Sequence, residues 1–424
     1  MKCSCAVFPK TLHYESPAHG GWGLVRMAGL LPDSYMLFYT PAACGRHSSL
    51  GALSNGIKDK VSYLFLSEEE IVSGSYEKEI IPAVDELLEA LPKRPRALLL
   101  FGGCIDDFLG TDYQALGEKL RAAHPDVRFC FCHMNPIQLD TKSPPGVTLF
   151  TNIYSMLDRR EKNPKQINLI GNNVVPAQES EIWDILKIFG VETKMLPSVR
   201  SFDEFLSMGE SSLNLVLSPR CIQSAKKQQR ELGIPYMINI PSYDLDEIER
   251  FYADFMAILS SITGESHSFS FADKREAADK ALRDTASELS GTGIVIDFQA
   301  VSRPFTLAKV LLDYGFDVRM VAADGVSAFE KKSFEILQQR YPDLEVVDPL
   351  HHDAPKYRER YLHNCLSIGF DAAFMVGSGK IVDIQEDGDL FGFDGVIRLM
   401  GMMRDAVKKE VDVIDVIREA KLVI

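Results

Sequence analysis

Apolar residues run without interruption through YMLFY (35–39) and through ALLLF (97–101). Runs of that length read as strands buried on both faces, as in a parallel sheet covered by helices. Strand candidates Tyr35–Thr40, Val61–Leu66, Arg96–Phe101 and Val127–Cys132 alternate with helical stretches. Between the second and third, Tyr76 to Leu91 sets Ile80, Ile81, Val84, Leu87, Leu88 and Leu91 on one helix face. A charged stretch with a proline, DRREKNPKQ at 158–166, reads as a boundary. A second set follows at Ile167–Ile170, Glu192–Leu196, Leu213–Leu217 and Tyr236–Ile240, then helices over 244–264 and 272–289. The third set is Gly293–Phe298, Asp317–Val321, Leu344–Val347 and Ala372–Val376, with Pro304 and Gly315 bracketing a helix in the expected order. The pattern predicts an α/β fold of three Rossmann-like units with four-stranded, mainly parallel sheets flanked by helices. Their expected limits are 1–160, 161–290 and 291–424, the last ending in a helix.

Composition narrows the function classes. A net charge of −14 without a Lys/Arg cluster argues against a nucleic-acid surface. No apolar run is long enough to span a bilayer, and MKCSCAVFPK lacks a signal-peptide core, so a cytoplasmic location is expected. The eight cysteines, at 3, 5, 44, 104, 130, 132, 221 and 365, contain no C-x-x-C pair and read as reduced thiols and possible ligands. Gly20, Gly21 and Gly23 lead into an apolar segment, a close backbone approach before a helix, but form no dinucleotide fingerprint. No phosphate-binding loop occurs either, so no nucleotide is expected on this chain.

Chemistry gathers at two strand ends. The runs YMLFYTPAACG and RALLLFGGCIDDFLGTD lead to Cys44 and Cys104, each followed by residues able to begin a helix. The carboxyl ends of parallel strands are where such folds place ligands, and a helix amino terminus favours a thiolate. An isolated free Cys is more often a small buried hydrophobe. Two in equivalent positions, flanked by Gly45 and Gly103 where something bulky can approach, point to a shared iron or zinc centre.

With these residues the chain resembles the nitrogenase component 1 superfamily, which spans nitrogenase subunits, cofactor-assembly scaffolds and tetrapyrrole reductases. TPAACG is similar to the family's turn carrying its first cluster Cys, and GGCIDDFLGTD to its second Cys segment with an acidic helix start. SEEEIVSGSYEKEI (67–80), GIPYM (233–237) and GFDG (392–395) fall where the family has similar strings. The resemblance implies an oxidoreductase working anaerobically, with an iron–sulfur cluster and electrons from a separate ATP-dependent iron–sulfur reductase. Two ligands per chain suit a homodimer, since two Cys44 and two Cys104 supply four thiolates for a 4Fe-4S cluster. The substrate class implied is a small molecule or tetrapyrrole. A non-catalytic scaffold for metallocofactor assembly and a redox-silent ligand-binding relative are the alternatives.

Departures from the family set limits. Ser16 stands where nitrogenase-type subunits have a third cluster Cys; it is a possible iron ligand or a turn residue. Ser218 falls where a Cys would anchor the large catalytic cofactor, with Cys221 one helical turn later, and Val382 or a neighbour replaces the expected His. A nitrogenase proper, with an iron–molybdenum cofactor, is therefore not implied. Cys130 and Cys132, with His133 beside them, form either a second redox or metal site or part of the core, since strand alternation points both thiols to one face. His19 and His47 flank the cluster segment in sequence and are the proton-donor candidates. Asp106 and Asp107 can cap the helix after Cys104. His351, His352 and Asp353 are ligand types, but adjacent side chains are expected to diverge in a solvated loop.

Overall fold

The structure is a computed structural model and describes residues 14, 16–18, 23–135, 143–360 and 365–422. The first sheet contains β1 (Ser34–Thr40), β2 (Val61–Phe65), β3 (Ala97–Gly103) and β4 (Arg128–Met134) in the order β2-β1-β3-β4, all parallel. The two continuous apolar runs are its central strands, because only there are both faces covered. Alternation sends Met36, Phe38, Leu99 and Phe101 to one core and Leu37, Tyr39, Leu98 and Leu100 to the other. Phe38 pairs with Phe101 in register, and their rings stack at 4.5 Å. The second core is closed by the helix Tyr76–Ala90, which buries Tyr76, Ile80, Val84 and Leu88 at four-residue spacing.

The second sheet repeats the topology with β5 (Gln166–Ile170), β6 (Glu192–Lys194), β7 (Asn214–Val216) and β8 (Tyr236–Ile238), ordered β6-β5-β7-β8. It shares a core with the first, since Ile170, Phe202, Phe205 and Val216 belong to the same apolar cluster as Phe38 and Phe101. Its interior also holds a chain of buried amides and hydroxyls. Asn168 Nδ2 donates to Asn214 Oδ1 at 2.8 Å and to the Met208 carbonyl at 2.9 Å, while Ser211 Oγ donates to Asn168 Oδ1 at 2.8 Å. Gln166 Nε2 donates to Ser211 Oγ, Asn214 Nδ2 to Gln228 Oε1, and Gln228 Nε2 to Ser224 Oγ.

The third sheet has five strands, one more than the sequence pattern predicts: β9 (Gly293–Asp297), β10 (Asp317–Ala322), β11 (Glu345–Val347), β12 (Cys365–Ile368) and β13 (Lys380–Val382), ordered β11-β10-β9-β12-β13. The segment Ala372–Val376, expected as a strand, belongs instead to the helix Phe370–Val376, and the strand lies just upstream as β12. Gly369, at φ 102°, separates them. The Asp297 carboxylate accepts the Asp371 N–H at 2.7 Å and the Ala372 N–H at 3.3 Å, capping the helix. Because that short helix is buried nearly all round, its apolar run is indistinguishable from a buried strand by periodicity.

Two compact units result. One contains the first and second sheets, over 22–173 and 192–238; the other comprises 174–191, 239–422 and the described residues before 22, with the third sheet. In the latter, the helix Leu245–Thr263 runs from its Asp244 cap to Gly264, and Ala272–Glu288 packs along Gly392–Ala406. No described helix is long and apolar enough to cross a membrane.

Candidate functional site

In the first sheet β1 and β3 are neighbours, and the chain leaves β1 for β2 on one side and β3 for β4 on the other. That arrangement opens a crevice beyond their carboxyl ends, where open α/β sheets bind ligands. Both cysteines border it. β1 ends at Thr40, Pro41 stays extended, and Cys44 stands in the first turn of the helix Ala42–Ser54. β3 runs to Gly103, and Cys104 opens the helix Cys104–Leu109. Cys44 is exposed and Cys104 half-buried, so neither is the inert core residue that an unpaired Cys usually is.

The two flanking glycines differ in what they permit. A Cβ on Gly45 would come within 2.7 Å of Phe65 Cε1 and 3.2 Å of Tyr63 Cδ1, so this glycine lets the helix lie on the β2 aromatics. A Cβ on Gly103 would meet only Thr40 Oγ1, at 3.7 Å, leaving open space beside Cys104. His47 is exposed one turn beyond Cys44 on the same helix. His19 lies outside the described residues, as do Cys3 and Cys5.

Beneath Cys104 is a polar cluster that the sequence did not disclose. Asp106 is buried and accepts the Gly103 N–H at 2.6 Å, closing the helix start. Burial pushes its carboxyl up to about 7, and its other oxygen has no hydrogen-bond partner among the described residues. The Tyr39 and Tyr113 phenols are raised by burial and by the charge of Asp106. Tyr76 and Thr111 share a hydrogen bond of 2.6 Å nearby. Asp107 faces His133 Nδ1 at 3.4 Å and accepts from Asn135, while His133 meets Tyr113 edge-on at 4.7 Å. Burial lowers the His133 pKa, and Asp107 partly offsets this. Asp106, Asp107 and His133 were visible as residue types, but their meeting with Tyr39, Tyr76, Tyr113 and Thr111 depends on contacts distant in sequence.

Cys130 and Cys132 share a face as expected, their sulfurs 3.7 Å apart, but both are buried in the core, and burial raises the Cys132 thiol well above its ordinary value. Cys221 is also fully buried and its thiol raised, beside a tight crossing where a Cβ on Gly171 would approach the Ser218 Cβ to 2.8 Å. Ser16 is buried and donates its hydroxyl to Asp371, in the unit that carries the third sheet. Val382 is buried in β13. GFDG opens the helix Gly392–Ala406: Gly392 has φ 71°, and the buried Glu181 carboxylate accepts the Phe393 N–H at 2.5 Å and the Asp394 N–H at 3.3 Å. In GIPYM, Gly233 at φ 71° ends the helix Ile222–Leu232. His351 and His352 do not diverge: their rings lie 4.2 Å apart, with Asp353 between their outer nitrogens.

Comparison with known proteins agrees with this architecture. Among curated proteins none matches the chain. Of solved structures, "Nitrogenase Cp1 at pH 6.5" is 16% identical and covers 95% of this chain and 95% of its own, with a TM-score of 0.71. "Nitrogenase Cp1 at pH 5" is likewise 16% identical over 95% of this chain and 90% of its own, with a TM-score of 0.63. These likenesses concern the fold. The sequence itself matches the nitrogenase component 1 type oxidoreductases over residues 21–360, and the chain belongs to that family.

Proposed function

We propose that this chain is the cluster-holding component of a nitrogenase-like reductase, with Cys44 and Cys104 as the ligands of an iron–sulfur cluster. The observation that carries the reading is the pair of solvent-reachable thiols on either side of one sheet crevice. The donor set fits: thiolates are the ordinary ligands of such clusters, and the open side of Gly103 leaves room next to Cys104. A bound 4Fe-4S cluster supplies one-electron storage at low potential.

Two thiols per chain call for a second copy, in which another Cys44 and Cys104 complete the set. Exposed apolar side chains support this dimer: Phe65 ends β2, Val72 follows it at 81% exposure, and Phe108 and Leu109 lie on the helix that Cys104 opens, Phe108 at 74%. Such a dimer would cover apolar side chains that are otherwise left in water. His47, on the solvent side one turn from Cys44, is the residue able to hold a proton for a bound substrate. Electrons would come from a dissociable ATP-dependent iron–sulfur reductase, the partner that membership of this family suggests. The substrate is a small molecule or tetrapyrrole.

The test is iron and acid-labile sulfide in anaerobically purified protein, with light scattering for the dimer. Cys44→Ala and Cys104→Ala should each abolish the brown chromophore; full iron retention in both would refute the assignment. Electron transfer from ferredoxin without ATP, as fast as from a cognate reductase, would refute the partner.

A further inference from the structure

The loop after β11 offers a separate set of ligands, far in sequence from Cys44 and Cys104. His351 Nδ1 stands 3.9 Å from one oxygen of Asp353, and His352 Nε2 stands 3.7 Å from the other. One ligand atom from each of the three residues can be chosen so that all lie within 4.8 Å of one another. Ligands held about 2.1 Å from a tetrahedral metal are about 3.4 Å apart, so small side-chain rotations close the set.

The backbone beneath is already organised. The buried Asp348 accepts the Leu350 N–H at 2.9 Å through its side chain and the His351 N–H at 3.1 Å through its carbonyl, and His351 O accepts the Ala354 N–H at 2.8 Å. The Asp353 N–H donates to His351 Nδ1 at 3.1 Å, which holds that ring nitrogen on the side of Asp353. A cation already uses the place: the Lys356 ammonium is paired with Asp353 and holds its carboxyl below the usual range.

We infer that His351, His352 and Asp353 form a binding site for a divalent transition metal of borderline softness, the class of Zn²⁺ and Co²⁺. Two imidazoles and one carboxylate select that class over Mg²⁺ or Ca²⁺, which require more oxygens. On binding, His351 Nδ1 exchanges its contact with the Asp353 N–H for the metal, and Lys356 gives up the carboxylate. Three protein ligands leave the remaining positions to water.

The experiment is Co²⁺ titration of tag-free full-length protein, followed by calorimetry and visible absorption. Wild type should bind one equivalent more than His351→Ala/His352→Ala, and the difference spectrum should show d–d bands without the thiolate charge-transfer band that cobalt at cysteine sites produces. Lys356→Met removes the competing cation and should tighten this equivalent by about threefold, the scale of an exposed ion pair. Equal stoichiometry in wild type and the double variant, or unchanged affinity in Lys356→Met, would overturn the site. Iron and sulfide content, which report on Cys44 and Cys104, should be the same in all three proteins.

Discussion

Replacing Asp387 by Asn separates the charge of a buried carboxyl from its hydrogen bonds. Asp387 is 1% exposed and accepts from the Tyr243 hydroxyl at 3.1 Å, the Ser302 N–H at 3.1 Å and the Ser302 hydroxyl at 2.8 Å. Burial pushes its carboxyl up to about 6, although these donors pull the other way. From an unfolded value of about 3.9, that rise corresponds to about 3 kcal/mol. Because the folded value is the higher one, the neutral acid stabilises the fold fully below about pH 4, and this contribution is lost as the pH climbs through about 6. Asn escapes that loss. Its oxygen keeps the Tyr243 and Ser302 N–H bonds, and its NH₂ turns to the Ser302 hydroxyl, which can accept instead of donating. The pull of the donors on the charged form is already contained in the value of about 6, so it takes nothing further from this difference. The variant should therefore match wild type within about 1 kcal/mol near pH 4, and its margin over wild type should grow by about 3 kcal/mol toward pH 8. Urea unfolding followed by circular dichroism across that range, at constant ionic strength, measures the difference. A difference that does not change with pH would refute the reasoning.

Further substitutions test other joints of the fold. Gly369→Ala imposes a left-handed φ of 102° on an L-residue and sets its Cβ 2.6 Å from those of Asp297 and Ala300. A loss of about 2–4 kcal/mol is expected in urea denaturation. Asn168→Leu leaves Asn214 Oδ1, Ser211 Oγ and the Met208 carbonyl without their partner, and should cost about 2–4 kcal/mol by the same assay. Ser67→Ala removes half of the capping box that Ser67 forms with Glu70, at about 1 kcal/mol. Its effect should appear as faster hydrogen exchange confined to the helix Glu68–Ser73.

The sequence was most readable where burial imposes a simple rule. β1 and β3 could be found because a strand covered on both faces must be apolar throughout, and the helix Leu245–Thr263 because Asp244 and Gly264 cap it. The positions of Cys44 and Cys104 followed from the same rule, since a strand's end locates whatever comes next. Strand order, which turns two separate loops into the borders of one crevice, depends on pairings distant in sequence. Ala372–Val376 misled because full burial erases the difference between periods of 2 and 3.6. The convergence of His351 and His352 was hidden by a tight turn, since the strand-like view of adjacent side chains does not hold there.

The buried amides of the second sheet bear on how accurately that sheet assembles. β6, β7 and β8 have three residues each, so their backbone ladders contribute few bonds with which to favour one alignment over another. Apolar faces alone tolerate sliding. Asn168 sits opposite Asn214 in register, and the pair is joined through Ser211, Gln166 and Gln228. A shift of one residue would turn these groups to the opposite face, and even a shift of two would misalign their partners. With each unpaired buried group costing about 1–3 kcal/mol, a misregistered sheet is penalised well beyond the stability its strands could recover. The amides thus bias the sheet toward a single strand alignment.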